Sequence, residues 1–209
     1  MFDSAVSGSA LQLDPGDHIC AFYRRPAERD DIMLPFLRDG LRAGHKCVCV
    51  VDSCDPDYVR EQLDGEPEAG ARSDDQLEVL DSDETYLSSG GFLPQEMLTI
   101  WNAKAAACLN GGGFSFVRNI GDMTWAHREK PGVDELVAYE SELNRMMGRY
   151  PQVNLCLYDL SRCSAELAMD VLKTHPKVLM AGMVLENPYY LEPEEFLAAR
   201  RRKTHQRSP

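Results

Sequence analysis

The 209-residue chain has no apolar run near the roughly 20 residues that a membrane span needs. Its opening, MFDSAVSGSALQLD, lacks the basic start and long apolar stretch of a secretory leader. Basic residues are scarce, 22 against 34 acidic ones. Several of them (Arg200, Arg201, Arg202, Lys203 and Arg207) crowd into the C-terminal end. The body left behind is strongly acidic and repels polyanions, which argues against direct nucleic-acid binding and against an anionic membrane surface. The seven cysteines are odd in number, form no Cys-x-x-Cys pair and, with the histidines, fit no zinc-finger spacing. They are expected to be reduced thiols packed in a cytoplasmic protein, with no metal and no organic cofactor. A Gly-x-Ser-x-Gly elbow is missing too, so a hydrolase has no support.

What remains is 44% apolar and long enough for one domain with a substantial core. DHICAFY, KCVCVVD and VNLCLYDL are apolar runs without polar alternation, the pattern of strands buried on both faces. QLEVLDS, FSFVRNI and KVLMAGMVLEN read as further strands. Helical stripes separate them. Ile32, Phe36, Leu37 and Leu41 mark one that ends at Gly44; Pro35 fits only in or near a first turn, which places its start near Ile32. Further helices are expected after Asp55-Pro56, from Pro94 to Asn-Gly-Gly-Gly, from about Val133 to Gly148, from Ser164 to His175, and over EPEEFLAARRRK. Strands alternating with helices predict an α/β fold: three layers, with a mainly parallel sheet flanked by helices on both faces.

In such sheets ligands bind beyond the carboxyl ends of the strands. The strand–loop–helix–strand order of residues 18–52 is that of a phosphate-binding P-loop, but the loop YRRPAERDD contains neither glycine nor lysine. Pro26 removes a backbone donor, and Asp30 and Asp31 would repel a triphosphate. Nucleotide hydrolysis is therefore not expected. The residues placed at the ligand edge are Tyr23, Arg24 and Arg25 after the first strand, Arg118 and Asn119 on FSFVRNI, Trp125 in the GDMTW loop, and Tyr158 and Asp159 closing VNLCLYDL. Arg118 and Asn119 would stand where a nucleotide enzyme holds its acidic residue. Glu140 lies on the apolar stripe of its helix, with Asn144 one turn on. A buried carboxylate needs a partner, either a ligand or a cation such as Arg118. His18 reads as a hydrogen-bonded structural residue. His175, before Pro176, reads as a helix C-terminal cap. Cys54 is the thiol expected to be most accessible.

GDHICAFY, PFLRDGLRAGHKCVCVVD, Trp125, the Tyr139-Glu140 pair, LCLYD, HP and NPYY, in this order, resemble the MEDS (methanogen/methylotroph, DcmR sensory) domain. The resemblance covers about residues 12–192. It implies a RecA/KaiC-like fold with a degraded P-loop, and a domain that senses small molecules, hydrocarbon derivatives among them, in transcriptional control. The domain is accordingly drawn at 12–198, between a flexible N-terminus (1–11) and a basic flexible tail (199–209). The expected function is non-enzymatic: binding a small, largely apolar ligand and regulating a partner protein, with homo-oligomers allowed. The alternatives are a nucleotide-binding or thiol-dependent enzyme at the same edge, or a ligand-free adaptor.

Overall fold

The computed structural model describes residues 11–64 and 75–207, with side chains to residue 202. The flexible N-terminus drawn from the sequence thus lies almost wholly outside the described residues.

The chain runs β1 (His18–Tyr23), α1 (Pro26–Arg42), β2 (Lys46–Val51), α2 (Pro56–Leu63), β3 (Leu77–Asp81), α3 (Pro94–Asn110), β4 (Val117–Asp122), α4 (Leu136–Met147), β5 (Gln152–Asp159), α5 (Ala165–Thr174), β6 (Lys177–Met180), β7 (Met183–Glu186) and α6 (Pro193–Arg207). The strands form one sheet in the order β3-β2-β4-β5-β1-β6-β7. All neighbours are parallel except β6 and β7. This is the three-layer α/β architecture expected from the sequence. Among the described residues no helix is long and apolar enough to cross a membrane.

Alternation along each strand sorts side chains into two cores. Ile19, Ala21, Cys47, Cys49, Val51, Ile120, Leu155 and Leu157 meet Met33, Phe36 and Leu37 of α1 and Val59 of α2. Cys20, Val48, Val50, Cys156 and Tyr158 meet Met97 and Trp101 of α3, Tyr139 and Leu143 of α4, and Val171 of α5. Cys47 and Cys49 share a face, as packed thiols should.

Three boundaries differ from the sequence-based expectation. Helix α1 starts at Pro26, not near Ile32, and Pro35 sits inside it. Pro26 takes the first helical position, where no N–H is lost. Pro35 and Asp31 are both exposed, so the carbonyl that Pro35 leaves unbonded faces water. The run KVLMAGMVLEN is two strands, folded over at Ala181 and Gly182, whose φ values are 50° and 76°. That left-handed pair is the backbone of a tight hairpin. Finally, the C-terminal helix, expected over EPEEFLAARRRK, continues to Arg207; arginine and lysine are good helix formers.

Candidate functional site

The carboxyl edge is filled by its own side chains. Asp122 ends β4 and is buried. It accepts from the backbone N–H of Ser53 (2.9 Å), from the Ser53 hydroxyl and from Tyr23 (3.3 Å). Arg29, 3% exposed, donates to Ser53 Oγ at 2.7 Å and pairs with Asp30 at 2.7 Å. Asp30 in turn accepts from Tyr58 at 2.7 Å. Beside this network Asp52 accepts from Thr124 (2.7 Å), Ser82 and Arg128. An arginine–aspartate pair and serine hydroxyls thus bond to one another beyond the ends of β1, β2 and β4. Strand β4 runs to Asp122, so the acidic residue at its end is Asp122. Arg118 and Asn119 lie further back, which corrects their expected placement.

The residues drawn from the sequence scatter accordingly. Arg24 and Arg25 are exposed and bond to Glu28. Asp159 caps the turn at Ser161. Arg118 points into the α1 layer, donating to Phe36 O at 3.0 Å and to His45 Nδ1 at 3.2 Å. It faces away from Glu140 across the sheet, so it is not the partner of that carboxylate. Trp125 is fully buried and does not arch over an edge. Its ring stacks on Tyr86 (centroids 4.8 Å apart) and packs against Phe92 (4.7 Å). The cause is local: Asp122 caps a 3₁₀ turn over Met123–His127, and that turn folds the indole inward.

The second core holds a different cluster. His18 opens β1, Cys156 and Tyr158 lie on β5, Glu140 on α4, and His175 just after α5. All five are buried. Register brings them together: His18 pairs with Asn154 and Cys20 with Cys156, on the face that α4 covers. Glu140 Oε1 accepts from Tyr158 at 2.8 Å. Glu140 Oε2 lies 3.2 Å from His18 Nε2 and 3.7 Å from His175 Nε2. Cys156 Sγ lies 3.5 Å from His18 Nε2 and 3.9 Å from Glu140 Oε2. Burial is the largest single influence and would raise the Glu140 carboxyl, but its contacts with His18, His175 and Tyr158 together outweigh it and hold the group below its ordinary value. Burial pushes His175 down to about 3, with His18 adding to the effect, so the ring is neutral. His175 is therefore no cationic cap. Burial drives the Cys156 thiol well up.

Next to this cluster is a small internal cavity of ≈ 20 Å³, room for about one water. Val48, Val50, Trp101 and Leu143 give it apolar walls, while Asn119, Asn154, Glu140 and Cys156 supply polar atoms. Gly121 forms part of its floor; a Cβ there would lie 3.0 Å from the Tyr86 hydroxyl. Of the residues expected to bind ligand, Asn119 and Glu140 line this cavity, and Tyr158 adjoins it through Glu140. Cys156, His18 and His175 were not among them. The signal for the two histidines was a polar ring at each end of an apolar run, HICAFY and the helix before HPKVLM.

Comparison with known proteins agrees with this architecture. The family model described as MEDS, the methanogen/methylotroph, DcmR sensory domain, matches residues 17–176. The transcriptional repressor DcmR of Methylorubrum extorquens is 30% identical over 172 residues, covering 76% of this chain. The matched region spans 58% of that repressor's length. Among solved structures, a KaiC-like protein from Pyrococcus horikoshii OT3 superposes with a TM-score of 0.52 at 7% identity, covering 78% of this chain and 70% of its own. The flagellar accessory protein FlaH from Methanocaldococcus jannaschii gives 0.53 at 9% identity, covering 82% and 76%. These likenesses show a RecA/KaiC-like fold.

Proposed function

Because the chain belongs to the MEDS family of sensory domains, and its role is thus sensory and regulatory, we propose that it detects a small, largely apolar molecule in the internal cavity between the sheet and helices α3 and α4. The observation that carries this is the make-up of that cavity: apolar walls with a few polar atoms held on rigid elements, the usual composition of a small-molecule site. Its ≈ 20 Å³ is room for about one water, so a ligand of even a few heavy atoms enters by displacing the lining side chains. The carboxyl edge, where a RecA-like relative would hold a nucleotide, is closed by the Arg29–Asp30 pair and the bonds to Asp122. The domain acts by binding and not by turnover.

Occupancy of the cavity pushes on α4, which carries Glu140 and Leu143 and packs against α3, α5 and α6. Those helices face outward, so a shift of α4 is readable by a partner protein. A role in transcriptional control is supported by the similarity to a transcriptional repressor.

The experiment is a thermal-shift screen with one- to three-carbon alcohols, aldehydes and halides, run on the wild-type chain and on Gly121→Ala. The added methyl group fills the cavity against Tyr86. The expected result is saturable stabilisation by at least one compound, lost in the variant. Equal stabilisation of both proteins would place the ligand elsewhere.

A further inference from the structure

The hydrogen bonds around the buried cluster fix where its lone pairs point. The Asn144 amide donates to Glu140 O at 3.1 Å and to Thr174 O at 2.7 Å. Its Oδ1 is therefore the atom facing His18 Nδ1, 3.0 Å away. His18 Nδ1 must carry a hydrogen, and in a neutral ring Nε2 is then a lone pair. His175 Nδ1 lies 2.8 Å from the carbonyl of Val171, so it too carries the hydrogen. Its Nε2 is buried with no hydrogen-bond partner. Tyr158 donates to Glu140 Oε1, so Oε2 is the oxygen turned toward the two histidines and the Cys156 sulfur. Two imidazole Nε2 lone pairs and one carboxylate oxygen thus point at one another, with the Cys156 sulfur beside them. A proton on His18 Nε2 would serve the His18–Glu140 contact, yet it would leave His175 Nε2 orphaned, at the full desolvation cost of a buried polar group.

We propose that His18, Glu140, Cys156 and His175 bind one divalent transition-metal ion of the zinc or ferrous class. Their four ligand atoms lie within 4.8 Å of one another. A tetrahedral ion with bonds of ~2.0–2.3 Å needs ligand atoms ~3.3–3.7 Å apart. Four of the six ligand-to-ligand distances, at 3.2, 3.5, 3.7 and 3.9 Å, bracket that edge length. Imidazole nitrogen with thiolate sulfur selects borderline ions over magnesium or calcium. Charge also fits: a dication, one carboxylate, one thiolate and two neutral imidazoles sum to zero, the condition a fully buried site favours. Binding releases the Cys156 thiol proton to solvent. Three of the four ligands are already oriented by an outer partner: His18 by Asn144, His175 by the Val171 carbonyl and Glu140 by Tyr158. Glu140 and Cys156 also line the cavity, so the ion would stand at its wall.

The test uses the untagged full chain, reduced and stripped with chelator, then loaded with Co²⁺ or Zn²⁺ both in the native state and by refolding. The refolding arm removes slow entry into a closed core as an explanation for failure. The expected result is one Co²⁺ per chain, with the intense visible bands of a tetrahedral site and a sulfur-to-cobalt charge-transfer band, both displaced by one equivalent of Zn²⁺. Cys156→Ser should remove the charge-transfer band. Asn144→Ala, which touches no metal, should weaken binding by ~10–100-fold. Circular dichroism establishes that each variant is folded, and Glu140→Gln, nearly the same shape, is the fallback if Cys156→Ser is not. Absence of stoichiometric binding after refolding overturns the proposal. So does binding that is unchanged in Cys156→Ser and Glu140→Gln. Neither result depends on whether the cavity takes an organic ligand.

Discussion

Replacing Trp125 separates a core tryptophan from a binding-loop tryptophan by magnitude. The side chain is wholly buried, stacked on Tyr86 and packed against Phe92. Truncation to alanine at such a site costs ~3–5 kcal/mol, including the void left behind. Lost aromatic contact adds up to ~1.5 kcal/mol. With a urea slope of about 2–3 kcal/mol/M, a loss of ~4 kcal/mol lowers the midpoint by roughly 1.3–2 M. Trp125→Phe should behave differently. The void is a few tens of Å³, which at ~24 cal/mol/Å³ costs about 1 kcal/mol. Against this stands the indole Nε1–H, buried with no acceptor, whose removal recovers ~1–3 kcal/mol of desolvation penalty. Trp125→Phe is thus expected near wild-type stability. The assay is equilibrium urea unfolding followed by far-ultraviolet circular dichroism, since the fluorophore is itself changed. A Trp125→Ala protein within about 1 kcal/mol of wild type would refute the buried placement. A Trp125→Phe protein as unstable as Trp125→Ala would show that the indole N–H is bonded.

Arg29→Ala should lose ~3 kcal/mol or more in the same assay, because it strips a buried guanidinium from Asp30 and Ser53, whereas Arg29→Met, which keeps the packing, should lose less. Native protein should react slowly with a thiol reagent at pH 8, and only at Cys54, Cys108 and Cys163. Cys20, Cys47, Cys49 and Cys156 are buried, and burial pushes Cys54 and Cys163 up to about 11; fast labelling of all seven would contradict the packing. Glu78, half-buried between Lys104 and Lys46, is held below its usual value of 4.5: burial raises it, and the hydrogen bonds and charges of the two lysines together lower it by more. A carboxyl lowered on folding contributes stability that is present above its unfolded value and lost as pH falls through the folded one. Wild type should therefore lose up to ~1 kcal/mol more than Glu78→Gln between pH 5 and pH 3, the solvent-screened size of a partly exposed pair. Parallel pH curves for the two proteins would sink that assignment.

The layers were legible in the sequence because HICAFY, KCVCVV and QVNLCLYD are apolar on both faces, and because Pro56, Pro94 and Pro176 mark helix boundaries. The α1 start was not, since Pro35 looks like a breaker until the exposure of Asp31 is known. The β6–β7 hairpin was hidden because Ala181 carries a positive φ that its residue type does not advertise. Glu140 stood out as a carboxylate on an apolar stripe, but its partners did not. His18, Cys156 and His175 meet it only because β1 is inserted between β5 and β6, a strand order that periodicity does not encode. Trp125 reads as a loop residue after a strand, and only the 3₁₀ turn capped by Asp122 carries it into the core.

Methyl-labelled protein titrated with the one- to three-carbon compound that gives the strongest stabilisation tests the central claim most directly, by NMR. Val48, Val50 and Leu143 line the cavity from the core that α3 and α4 cover, and their methyls are expected to show saturable shifts larger than those of any methyl near the carboxyl edge. Shifts centred instead on Ala21, Met33 and the methyls around Tyr23, with Val48 and Leu143 unmoved, would contradict a sensory site between the sheet and helices α3 and α4.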